Sequence, residues 1–150
     1  MTLVVPEKPT FNEQQHFWWW HDPASDLEVN IAGNSDGPFA EHVELAGSAL
    51  DNLEQLKSSS ADYISKSLGI TLPPPNDWEL RWLSSGVGQA GEALECELTM
   101  TADDEYVLWS VRFVHVSYSG HFSPRGISRR QCASQRRSRE QRIQRARKAG

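Results

Sequence analysis

Cysteine is nearly absent: Cys96 and Cys132 are the two in 150 residues, too few for a disulfide framework and in keeping with a reducing compartment. No apolar run approaches the length that spans a bilayer, and Met1 to Thr10 has neither the basic start nor the apolar stretch of a signal peptide. A cytoplasmic location is the expectation. Metal-binding spacings are also lacking: there is no H-E-x-x-H or C-x-x-C, and His16, His21, His115 and His121 form no i, i+4 pair, so no metal is expected. A nucleophilic serine has neither a G-x-S-x-G elbow nor another recognisable triad segment around it. No catalytic residue and no cofactor are assigned, and a non-enzyme is expected.

Bases are scarce along most of the chain. Met1 to Pro124 holds 5 Lys and Arg against 19 Asp and Glu, whereas Arg125 to Gly150 holds 10 against the lone Glu140. The net charge of -5 therefore averages two unlike objects. An acidic body repels nucleic acid and attracts basic proteins, and a basic tail does the reverse. The expected organisation is an acidic domain over 1–124 and a tail over 125–150. With Ile127 and Ile143 as its sizeable aliphatic residues, the tail is expected to be flexible or conditionally helical, because it cannot bury a face of its own.

Large apolar side chains are plentiful, with six Trp, five Phe and three Tyr, enough for one core. Leu27, Val29 and Ile31 alternate with Glu28 and Asn30 as a half-buried strand. A turn over Gly33 to Pro38 leads into a helix start, with Asp36 or Gly37 near the N-cap. One long helix is predicted from Phe39 to Leu68, with Phe39, Val43, Ala46, Leu50, Leu53 and Ile64 inward and Glu41, Glu44, Asp51, Glu54 and Asp62 outward. Lys57 falls in the apolar arc, which implies a bend near Ser58-Ser59-Ser60 or a lysine with a packed stem. The prolines Pro73 to Pro75 form an extended connector. Three strands follow, with Trp78, Leu80 and Trp82 on one face, then Leu94, Cys96, Leu98 and Met100, then Val107, Trp109, Val111 and Phe113. The expected fold class is α+β, one long helix packed on a mainly antiparallel β-sheet, with a basic C-terminal tail.

Several features invite a chemical reading. Gly86, Gly88 and Gly91 spell G-x-G-x-x-G, but Glu92 to Thr101 alternates like a strand where a dinucleotide site needs a helix, so a hairpin loop is expected. Glu95 and Glu97 lie on the polar side of a strand, and Asp103-Asp104-Glu105 reads as a turn. Phe17-Trp18-Trp19-Trp20 makes both faces of a strand aromatic, one for the core and one for a second buried layer or a partner. In the tail, Arg129, Arg130, Arg136, Arg137 and Arg139 are the candidates for phosphate contacts.

The order of strand, turn with Asp36-Gly37-Pro38, helix with Leu50-Asp51-Asn52-Leu53, then Trp78-Glu79-Leu80 and Tyr106 to Phe113, resembles small bacterial α/β domains found beside polymorphic or secreted toxins. The resemblance covers about Leu27 to Ser128 and implies an immunity role. Independently, an acidic antagonist of a basic toxin gains fast encounter and specificity from complementary charge. The expected function is a non-enzymatic immunity protein that binds a cognate toxin, with Glu41, Glu44, Asp51, Glu54, Glu95, Glu97 and Trp19 as contacts. The alternative is a nucleic-acid-associated accessory protein that uses the arginine-rich tail.

Overall fold

The computed structural model describes residues 3–86, 94–102, 104–116 and 120–131. The chain opens with β1 (Thr10–Asn12), β2 (Phe17–Asp22), β3 (Leu27–Asn34) and the two-residue β4 (Gly37–Pro38). Two helices, α1 (Ala40–Asp51) and α2 (Leu53–Leu68), lead through a single 3₁₀ turn at Pro75–Asp77 to β5 (Glu79–Ser85), β6 (Glu95–Thr101), β7 (Val107–Val116) and β8 (His121–Gln131).

All eight strands belong to one mixed sheet, ordered β1-β2-β3-β5-β6-β7-β8 with β4 paired to β3 alone. The seam between β3 and β5 is parallel, Val29 facing Leu83 and Ile31 facing Ser85, and the other pairings are antiparallel. A parallel pair needs a crossover, and the two helices and the proline connector supply it.

The expected architecture of one long helix on a mainly antiparallel sheet is thus corrected: the sheet is mixed and dominates the fold, and the helical stretch is two shorter helices. The break falls at Asn52 (φ -115°, ψ 24°) rather than at the serine run. Asn52 Nδ2 donates to the Ser48 carbonyl at 2.9 Å, while its backbone N–H donates to the Ala49 carbonyl at 3.1 Å. The side chain has taken the acceptor that a continuous α-helix reserves for the Asn52 backbone, which is how asparagine competes with helix propagation. Lys57 stays within α2 with its stem packed, 9% exposed, and its Nζ lies 3.6 Å from Glu54 Oε2.

The helix start differs as well. Gly37 and Pro38 pair with Asn34 and Gly33 as β4, so the N-cap residue of α1 is Phe39. Both helices pack on one sheet face: Leu45, Ala46, Ala49, Leu56 and Ile64 join Val29, Ile31, Leu83, Leu98, Met100, Val111 and Phe113 in one core cluster. Burial of each large aliphatic side chain there contributes roughly 1.5–3 kcal/mol. The inward line of α1 runs through His42, Leu45, Ala46 and Ala49, leaving Phe39 39% exposed.

The boundary expected between Pro124 and Arg125 falls inside β8, where Arg125 is the extra residue of a bulge and Gly126 to Gln131 pair with β7. Residues 132–150, with Arg136, Arg137 and Arg139, lie outside the described residues. Among the described residues no helix is long and apolar enough to cross a membrane.

Candidate functional site

Strand alternation sends one set of side chains to the helices and leaves the other set on a face that no described element covers, the open face below. On β2, Trp20 is 5% exposed and Trp18 packs against the core, so Phe17 and Trp19 take the open side, with Trp19 37% exposed. Trp18 is fixed by stacking on Phe11 at 4.7 Å and by donating its indole N–H to the Asn34 carbonyl at 2.7 Å.

On β5 the expected face of Trp78, Leu80 and Trp82 is corrected by a bulge. Leu80 faces Met100 and Trp82 faces Thr99, with Arg81 as the extra residue between them. One inserted residue shifts the phase of a strand, so Leu83 enters the core and Trp82 turns to the open face.

The register then builds two rows across the sheet. Trp19, Asn30, Ser84, Glu97, Arg112 and Gly126 oppose one another in sequence, and beside them His21, Glu28, Trp82, Thr99, Ser110 and Ser128 do the same. Most of these residues, with Gln15, Phe17, Arg129 and Arg130, line a hollow of about 650 Å³. Its floor is hydroxylic, Thr99 Oγ1 and Ser110 Oγ lying 2.8 Å apart. Burial holds the Glu97 carboxyl above its ordinary range, against the opposing pull of the Arg112 and Arg130 guanidiniums. Arg112 lies over Gly126, where an added Cβ would come 3.1 Å from its Nη2, and its Nε stands 3.6 Å from Glu95 Oε2.

A second concavity, of about 780 Å³, runs along the outer side of α1. Leu3, Val5, Pro38 and Val43 give it an apolar bed, and Asp36, Glu44 and Asp51 bring three carboxyl groups to it.

The partner contacts expected from sequence are therefore divided between two surfaces. Glu41, Glu44, Asp51 and Glu54 are exposed on the helices. Trp19, Glu95 and Glu97 are on the opposite side of the sheet, Trp19 and Glu97 within the hollow. Arg129 has its guanidinium carbon 5.7 Å from the Trp109 ring centre, and Arg130 lines the hollow. Glu28 and Trp82 were not singled out in the sequence. The alternation of Glu28 with Val29 marked the former as outward, but the β5 bulge that redirects Trp82 leaves no composition signal.

Gly86 follows β5 at φ 74°, and a Cβ there would meet the buried His42 ring at 2.7 Å. A packing demand accounts for this glycine without a phosphate; Gly88 and Gly91 lie outside the described residues. Ser85 Oγ is 3.4 Å from His42 Nδ1, with both side chains buried. Burial, with the nearby Glu97 and Glu95 charges, pushes the Cys96 thiol up to about 12, which leaves negligible thiolate at neutral pH. Among the described residues, no group of three or more His, Cys, Asp or Glu is placed to hold a metal ion. No family model, curated protein or solved structure matches this chain.

Proposed function

We propose that the protein is a non-enzymatic, cytoplasmic immunity-type protein that neutralises a cognate basic toxin by covering its active surface. The observation that carries this reading is the groove along α1, where an apolar bed is edged by Asp36, Glu44 and Asp51. Apolar contact supplies affinity at such a surface, while carboxylates steer a basic partner and exclude acidic ones. The charge of the body supports the same polarity of partner, since 19 of the 20 acidic residues precede Arg125. The toxin itself is suggested by the sequence resemblance, and Glu41 and Glu54 extend the same exposed acidic side.

The test compares the full-length protein with its Glu44→Lys/Asp51→Lys variant, each used to capture partners from the native host. The expected result is one near-stoichiometric basic protein held by the wild type, whose toxicity on expression is relieved by the wild type and not by the variant. Equal capture and equal protection by the variant would remove the α1 groove from the function. Capture of nucleic acid in place of protein would move the function to Arg129, Arg130 and the arginines that follow them.

A further inference from the structure

We infer that the hollow on the open sheet face is a second binding site, distinct from the α1 groove, and that its ligand is a planar guanidinium cation received beside Glu28 between Trp19 and Trp82. Glu28 is half-buried on β3, directly opposite Trp82 on β5. Its carboxylate has no hydrogen bond or ion pair with any described residue. Its other cross-strand neighbour, His21, is committed elsewhere, with Nε2 2.9 Å from Asp26 Oδ1. Trp19 stands one position further along β2, opposite Asn30. A carboxylate held between two indoles offers a cation both an ion pair and aromatic faces, and partial burial strengthens each contact.

The charges at the far end of the hollow do not cancel this preference. Arg130 is on β8, four strands from Glu28 along the sheet, and the carboxyl its guanidinium acts on is Glu97, which stands between them. Arg112 is nearer, on β7, but its Nε faces Glu95 at 3.6 Å. Glu97 stands midway, two strands from both Glu28 and Arg130, and when ionised it offsets the Arg112 and Arg130 guanidiniums. Flatness decides for guanidinium over ammonium: a delocalised, weakly hydrated plane stacks on an indole while its N–H fork meets a carboxylate, and a compact ammonium loses more hydration for less contact.

n-Butylguanidinium, the free guanidinium probe, is titrated into the full chain with indole fluorescence and calorimetry as readouts, beside Nα-acetyl-arginine N-methylamide as its peptide-borne form and n-butylamine and glucose as controls. Saturable binding of either guanidinium compound is expected, with butylamine and glucose weaker. The preference between the two guanidinium compounds identifies a free or a protein-borne source. Glu28→Gln, conservative in shape, is expected to weaken binding about tenfold or more, as loss of a charge-assisted hydrogen bond implies. Trp19→Ala, at an exposed position, should also weaken it, and Glu44→Lys/Asp51→Lys should leave it unchanged. Equal n-butylguanidinium affinity in Glu28→Gln, or glucose binding more tightly than n-butylguanidinium, would overturn the assignment whatever the fate of the α1 groove.

Discussion

Glu97 shows how one residue can work against the fold that positions it. Its carboxyl is raised above the ordinary value of 4.5, chiefly by burial, so the folded protein holds this proton more tightly than the unfolded chain does. A group shifted in this direction leaves stability intact at pH values below its unfolded range and subtracts from it as pH rises through the folded value. Glu97→Gln removes that cost. Its urea midpoint at pH 7 is expected to exceed that of the wild type, with the advantage shrinking as the pH falls to 4 and below; an unchanged midpoint at pH 7 would contradict the burial argument. At this scale the sequence was informative wherever alternation stayed in phase. Cys96, Leu98 and Met100 are buried together, as are Val107, Trp109, Val111 and Phe113, whereas Leu94, expected with the first group, precedes β6 and is 40% exposed. Trp82 escaped because a single extra residue, Arg81, reverses inside and outside without changing composition.

Among the elements, α2 is the one whose interior carries the least expected residue. Lys57 is buried along its stem, and its ammonium reaches only as far as Glu54, a carboxylate 79% exposed. A pair in that setting contributes little, on the order of 0–1 kcal/mol, whereas the methylenes pack. Lys57→Met keeps the packing and removes the ammonium, so its thermal midpoint is expected to match or exceed that of the wild type, while Lys57→Asp should lower it by several degrees. The two helices also mark where element boundaries elude a periodicity argument. The 3.6-residue pattern runs on through Asn52, and the break depends on a side chain capturing the Ser48 carbonyl, a choice that periodicity cannot register. The proline connector was readable because ring geometry forbids a helix there.

At the level of the whole molecule, the sheet formed by the described residues has two ends, the short β1 and the eleven-residue β8. A long edge strand is a template for pairing with another chain unless charge or proline blunts it, and β8 carries Pro124, Arg125, Arg129 and Arg130. The arginines that read as the start of a nucleic-acid tail thus also fit the role of edge guards. The Arg129→Thr/Arg130→Thr variant is expected to associate at concentrations where the wild type does not, measured by light scattering; an unchanged scattering profile would return these residues to a role in recognition. The α+β content was legible in the sequence, but the mixed sheet was not. Which strand lies beside β3 depends on contacts between segments far apart in sequence, and local pattern is silent about them.

The parallel seam has a kinetic meaning. β1 to β3 pair in chain order, and β5 to β8 do likewise, so each half can zip from local hairpins. Joining β3 to β5 requires everything from Ser35 to Trp78 to fold back as one large loop, whose closure entropy must be overcome before the seam's contacts form. Glu28 belongs to one half and Trp82 to the other. The Glu28 side of the hollow therefore meets the Trp82 side only when that seam closes, and a ligand held between them would clasp the two halves together.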